Sequence, residues 1–259
     1  GEVFTTRTLA TYSYELNNKK APFDNVNVRK ALNLSLDRNV ITDKVLGQGQ
    51  TPTYVFTPTY IEEGQLIQQP AYSKEPMAQR NEEAIKLLEE EGYSKANPLK
   101  FSILYNTNEN HKKVAIAAAS MWKANTKGLI DVKLENQEWK TYIDSRRAGR
   151  FDAARAGWNA DYNQATTFGN YFLSNSSNNT AKYANPEYDK AIAESYVATD
   201  AEGRAKAYAK AEEILAKDFG IVPIFNYVNP RLVKPYVKGY SGKDPQDHIY
   251  LRNLYIIKH

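Results

Sequence analysis

A carboxylate, a guanidinium and an indole crowd the stretch Phe151-Asp-Ala-Ala-Arg-Ala-Gly-Trp-Asn-Ala-Asp-Tyr-Asn163, and their spacing suits the capture of an extended chain. Phe151, Ala153, Arg155 and Gly157 alternate with Asp152, Ala154, Ala156 and Trp158. That alternation predicts a short strand of small residues opening into a polar, turn-rich segment. Small side chains leave the backbone approachable. The N–H and C=O groups of such a strand pair with any extended peptide, because they read main chain and not side chains. Asp161 at the far end stands where a terminal ammonium would be held by a charge-assisted hydrogen bond, and Arg155 offers the opposite charge. The same spacing is met by an Asp161 that caps the following segment and an Arg155 in a solvated ion pair.

Other chemistries find less in the chain. Asp161 with Asp152 or Glu138 would make the carboxylate pair of a hydrolase, but nothing fixes their separation and no G-x-S-x-G nucleophile motif occurs. A metal centre wants several imidazole or thiolate ligands; His111, His248 and His259 are scattered and cysteine is absent. No cofactor is implied. Lys and Arg number 34 against 30 Asp and Glu, interspersed without a basic run, so nucleic acid is not an expected partner. No apolar stretch approaches a membrane span and no signal sequence opens the chain. Nineteen tyrosines suit a surface that recognises varied ligands, though most are expected at half-buried packing positions.

The elements that would position this stretch follow from periodicity. At 259 residues the chain can bury a core without cross-links. Residues 9–16 alternate as a strand with one buried face, and Val28, Ala31, Leu32 and Leu36 recur at helical spacing. Asp37 caps a second helix carrying Val40, Ile41, Val45 and Leu46 up to Gly47. Residues 48–78, with Pro52, Pro58, Pro70 and Pro76, read as a long irregular excursion that either lines a cleft or wraps the surface on Tyr54, Phe56 and Tyr60. A helix begins at Asn81 and stops at Gly92. Strands over 99–105 and 130–134 alternate with helices after His111 and over 139–148, and the strand from Phe151 follows. This succession argues for crossovers and a largely parallel sheet, with ligands at the carboxyl ends of its strands, where Tyr105-Asn106 and Gly157-Trp158 fall. The first turn of the helix near His111 would favour an anion. Residues 168–183 read as a loop, Asn185-Pro186 as a cap with proline at the first helical position, and two helices follow. A buried strand covers 221–227, and the end of the chain is rich in Gly, Pro and Tyr.

Five words in this chain resemble the periplasmic oligopeptide-binding proteins of ABC importers: Ala154-Arg-Ala-Gly-Trp158 with Asp161-Tyr-Asn163, Tyr105-Asn-Thr107 before His111-Lys-Lys113, Asn136-Gln-Glu-Trp-Lys140, Leu173-Ser-Asn-Ser-Ser177 and Arg231-Leu-Val-Lys-Pro235. A sixth, Pro22-Phe-Asp-Asn-Val-Asn-Val-Arg-Lys-Ala-Leu32 with Leu36-Asp-Arg38, is similar to a helix of the wider family of peptide, dipeptide and nickel receptors, family 5 of the extracellular solute-binding proteins. With the closing Tyr255-Ile-Ile-Lys-His259 the likeness covers essentially the whole chain, and it is to the C-terminal half of such a receptor.

The resemblance implies an α/β, periplasmic-binding-protein-like lobe with a mixed, largely parallel sheet flanked by helices. Residues 1–236 would be the ligand-binding lobe, and 237–259 a tail that returns to an N-terminal lobe. Detached from that lobe, the tail is expected to be partly disordered or folded differently. By the same resemblance Asp161 binds the ligand α-ammonium, and the main chain of Arg155, Ala156, Gly157, Trp158 and Asn159 pairs with the peptide. Arg155, Arg146 or His111 meets its carboxylate according to length, while Trp158 and Tyr227 wall side-chain pockets. The implied protein is a non-catalytic, monomeric periplasmic receptor that delivers short peptides to a membrane permease; murein peptides, dipeptides and haem are the alternative ligands. Enteric relatives tend to carry a cysteine pair at the positions of Ala10 and Asn159, which implies that these two residues are neighbours in space.

Overall fold

The computed structural model describes residues 2–258; Gly1 and His259, the last residue of the tail, lie outside the described residues. One long strand, β1 (Glu2–Leu16), organises the fold. From Leu9 onward both of its faces are buried: Leu9, Thr11, Ser13 and Glu15 as fully as Ala10, Tyr12, Tyr14 and Leu16. The one-faced strand expected from alternation is therefore corrected. β1 runs through the middle of a sheet that has helices packed on both faces, so its polar face is covered as well.

Helix α1 (Val26–Leu34) starts where the Asn25 side chain accepts the Asn27 N–H. Asp37 accepts the N–H groups of Asn39 and Val40, and a π-helical turn, Val40–Leu46, follows and stops at Gly47, whose φ of 63° suits a residue without Cβ. The excursion over 48–78 holds only a short strand, β2 (Thr51–Pro52), and one turn of 3-10 helix, Ala71–Lys74. It wraps the body: Phe56 is buried in a core, and the Tyr60 hydroxyl donates to the Thr8 carbonyl. Helix α2 (Met77–Glu90) begins behind Pro76, a turn before the predicted Asn81, because Arg80 is drawn inward to the Leu34 and Leu36 carbonyls.

The strand and helix succession then appears as β3 (Leu99–Asn106), α3 (Glu109–Asn125), β4 (Ile130–Gln137), α4 (Trp139–Arg147) and β5 (Ala153–Asn159). The segment read as a loop, 168–183, opens in ordered helix: α5 (Thr166–Gly169), whose Phe168 is fully enclosed, runs into a 3-10 turn, Asn170–Phe172. Aromatic packing, invisible to polarity counting, makes it ordered. Helices α6 (Pro186–Val197) and α7 (Ala201–Lys217) are capped by Asn185 and Asp200, and β6 (Ile221–Val233) follows.

The sheet order is β2-β6-β1-β5-β3-β4. β3 pairs in parallel with β4 and β5, while β1 lies antiparallel between β5 and β6. Thus β3, β4, β5 and β6 point one way and the sheet is mixed. Helices α1, α2 and α3 cover one face, burying Tyr12, Tyr14, Ile103 and Trp122. Helices α5 to α7 cover the other, with Leu9, Phe56, Phe168 and Tyr188. The fully buried Trp122 donates its Nε1 proton to the Leu32 carbonyl at 2.9 Å, so its one polar atom is satisfied. No described helix is long and apolar enough to cross a membrane.

The tail is folded onto this body. Strands β7 (Val237–Lys238) and β8 (Tyr255–Ile256) make a two-stranded ribbon. The Pro245 carbonyl accepts the Leu9 N–H at 2.9 Å, where a register shift between Arg7 and Thr11 leaves β1 without its β6 partner.

Candidate functional site

The chemistry-bearing stretch is β5, and its neighbours leave half of it open. Along one edge it pairs with β1 from Leu16↔Ala153 to Ala10↔Asn159. Ala10 and Asn159 are thus directly opposed. Along the other edge it meets β3 only at Ile103↔Ala153 and Leu104↔Ala154. β3 and β5 diverge there, and from Arg155 to Asn159 that edge has no strand partner among the described residues. One of its groups, the Arg155 carbonyl, takes the Tyr142 hydroxyl. Gly157 and Asn159 are exposed, so the backbone that follows remains approachable.

A cavity of about 530 Å³ opens beside this edge, lined by Arg155, Gly157, Asn159, Tyr227, Trp139 and the tail residues Pro245, Gln246 and Asp247. Period-two alternation puts Arg155, Gly157 and Asn159 on the face that also carries Tyr12. The Arg155 guanidinium sits 5.2 Å from the Tyr12 ring centroid. It donates to the Tyr227 hydroxyl at 2.7 Å and to Asn106 Oδ1 at 3.3 Å. No carboxylate of a described residue pairs with it, and its Nε is buried without a partner among those residues. Burial pushes the Tyr227 hydroxyl up, against the pull of Arg155, so it is a neutral phenol at any physiological pH. Gly157 permits the Arg155 to Tyr227 bond: a Cβ there would stand 2.7 Å from Arg155 Nη2 and 2.9 Å from the Tyr227 hydroxyl.

His111 lies in the first turn of α3, behind the Asn108 cap, with its ring 5.5 Å from that of Tyr12. Burial, reinforced by the Arg155 charge, depresses its pKa from 6.5 to about 3. It is a neutral imidazole at pH 7, and its Nδ1 is buried and unpartnered. Arg155 Nε and His111 Nδ1 are thus both buried without a hydrogen-bond partner among the described residues. Buried polar groups are nearly always satisfied, so each of these exceptions calls for an explanation.

The remaining sequence-derived residues divide between places. Asp161 is exposed just past β5. Its N–H donates to Thr167 Oγ1 and its carbonyl accepts from Gln246, while its carboxylate takes no hydrogen bond or ion pair from a described residue. Trp158 and Ala156 fall on the opposite face of the sheet; Trp158 donates to the Thr167 carbonyl at 2.9 Å and packs edge-on to Tyr171 at 5.0 Å. Arg146 is on that face too. It is committed to the buried Glu15 carboxylate at 3.0 Å and to the Tyr171 and Thr180 hydroxyls. The structure therefore gathers Arg155, Gly157, Asn159 and Tyr227 with His111 close behind, and sets Arg146 apart.

Sequence reasoning missed Tyr12, Trp139 and the tail residues Gln246 and Asp247. Trp139 carried a signal, an indole opening a helix beside the open edge. The tail carried none, since its docking depends on a bulge in a strand more than two hundred residues away. Among the described residues no group of three or more His, Asp or Glu is placed to hold a metal ion.

Residues 2–180 match the family model described as bacterial extracellular solute-binding proteins, family 5 Middle. The periplasmic oligopeptide-binding protein OppA of Haemophilus influenzae is 95% identical over 259 residues, all of this chain and 48% of that protein. OppA of Salmonella typhimurium is 55% identical over 258 residues, 100% of this chain and 47% of that protein. The crystal structure of Haemophilus influenzae OppA in complex with RPPGFSPFR superposes with a TM-score of 0.94 at 95% identity, covering 100% of this chain and 50% of that one. This chain spans about half the length of the curated relatives it matches.

Proposed function

We propose that this chain, which belongs to the family 5 bacterial extracellular solute-binding proteins, is the peptide-binding lobe of a periplasmic receptor that supplies short peptides to the permease of an ABC importer. The observation that carries the proposal is the open edge of β5 from Arg155 to Asn159. Free N–H and C=O groups on a strand edge take an extended chain as an added strand, whatever its side chains. Asp161, with its carboxylate unengaged, holds the ligand ammonium. Arg155 or His111 receives the carboxylate end according to ligand length, Arg155 as a cation and His111 as a neutral hydrogen-bond donor. Tyr227 and Trp158 wall the side-chain pockets, and Arg146 acts at one remove through Tyr171, which packs on Trp158. Nothing in this arrangement requires a bond to be made or broken, and the proposed role is binding without catalysis, by one copy of the receptor.

A second lobe is part of the reading. Residues 1–236 are assigned to this lobe and 237–259 to a tail that joins a partner lobe. Val3, Leu232, Leu251, Tyr255 and Ile256 stay exposed at the tail end of the molecule, an apolar surface that such a lobe would cover. One lobe supplies roughly half of the contacts, so this chain alone should bind orders of magnitude more weakly than the joined receptor.

The test is calorimetric titration of the chain spliced into its Haemophilus influenzae relative in place of the matching half, against an L-tripeptide and a murein tripeptide. Tight binding of the L-tripeptide, weakened roughly ten- to hundredfold by Asp161→Asn as expected for a lost charge-assisted pair, supports the reading. Selective binding of the murein ligand, or indifference to Asp161→Asn, refutes it.

A further inference from the structure

The tail segment over Asp244 to His248 does more than touch the lobe. Pro245 is fixed to the β1 bulge by the Leu9 N–H, at 2.9 Å. Asp247 is fixed to β6 by Asn229 at 2.6 Å and by the Arg231 guanidinium. Gln246 lies between these two anchors, and its own N–H is taken by Asp244 Oδ1 at 2.8 Å. Its side-chain amide therefore has a defined position, and it spends its donors on two carbonyls, Asp161 at 3.2 Å and Ala160 at 3.4 Å. From the other side the Asp161 N–H is held by Thr167 Oγ1 at 3.1 Å, and the Ala160 N–H by the Leu9 carbonyl at 2.8 Å. Every backbone polar group of these two residues is thus gripped, by α5, by β1 and by the strap, while the Asp161 carboxylate is left free.

We infer that Gln246 is a positioning residue for the ligand ammonium: the strap uses its amide to fix the backbone of Asp161, so that the carboxylate meets an incoming α-ammonium without first being ordered. The inference rests on the peptide-receptor reading and adds to it a residue outside the β5 stretch. An exposed loop aspartate held only at its N–H would swing with its carbonyl, and ordering it on binding would cost affinity. Because the strap belongs to the chain end proposed to join the second lobe, the same contact ties the ammonium site to lobe position.

The experiment is a double-mutant cycle in the joined receptor with a free-amine L-tripeptide. Gln246→Met keeps side-chain length and removes the donor, and should weaken binding about three- to tenfold, the range of one net hydrogen bond, with the melting temperature held. In the Asp161→Asn background the same substitution should cost less than twofold. An undiminished cost in that background means that Gln246 supports the strap in general and overturns the positioning role. A Gln246→Met receptor with unchanged affinity overturns it as well, even where Asp161→Asn alone weakens binding and the peptide reading stands. If Asp161→Asn leaves affinity unchanged, the ammonium assignment falls and takes this inference with it.

Discussion

Gly157→Ala isolates the geometry of the site from the stability of the lobe. The added Cβ would lie 2.7 Å from Arg155 Nη2 and 2.9 Å from the Tyr227 hydroxyl, against about 3.5 Å for an ordinary contact, so these groups must retreat by roughly 0.8 and 0.6 Å. Both ends of a 2.7 Å hydrogen bond are displaced by the same methyl group. Bonds to charged groups are worth about 1.5–3 kcal/mol, so a guanidinium freed from Tyr227 should lower affinity for a carboxylate-bearing tripeptide roughly ten- to hundredfold. Gly157 is exposed and outside the left-handed region, so alanine carries no backbone strain, and its gain of about 0.4–1 kcal/mol from the unfolded chain offsets part of the lost Arg155 to Tyr227 bond, holding the fall in melting temperature to a few degrees. Calorimetry on the joined receptor, with thermal melts of the lobe, reads both. Tyr227→Phe, which removes the acceptor without the clash, should reproduce most of the loss. Binding within twofold of wild type in a folded Gly157→Ala receptor would refute the view that the Arg155 to Tyr227 bond presents the guanidinium to ligand.

Two further outcomes test the lobe itself. His111 has a pKa of about 3 in the fold against 6.5 for a free imidazole, so between these values the unfolded chain binds a proton that the native lobe refuses. Stability should fall as pH drops through about 6.5 and go on falling toward about 3, by up to about 2 kcal/mol on reaching pH 5; urea titrations of His111→Gln should lose that slope, and an equal slope in both proteins would place the proton elsewhere. Glu212 accepts the N–H groups of Phe56 and Thr57 and the Thr57 hydroxyl from a buried position. Glu212→Ala leaves three donors unsatisfied and should cost about 2–4 kcal/mol; a loss under about 1 kcal/mol would mean that the 48–78 wrap is held by its other contacts, the burial of Phe56, the β2 to β6 pairing and the Tyr60 to Thr8 bond.

Much of this molecule is local, and the local part was legible in the sequence. The caps at Asp37 and Asn185, the stop at Gly47 and the helical spacing of Val28, Ala31 and Leu32 depend on residues within a turn or two of one another. The alternation through β5 set Arg155 and Gly157 opposite Trp158 before any neighbour was known. Motif resemblance placed Ala10 beside Asn159, and they are register partners. What the sequence did not hold was the set of neighbours. Arg146 and Arg155 are alike in type and close in the chain, yet one faces a buried glutamate and the other lines the cavity, because they lie on different faces of the sheet. The charge of His111 follows from burial and from a guanidinium over forty residues away. The open edge exists because β3 turns aside after two pairs, and the strap reaches Asp161 because β1 bulges at Leu9. Periodicity and capping are short-range and written in residue order, whereas accessibility, protonation and an unpaired strand edge are set by whatever the folded chain brings alongside.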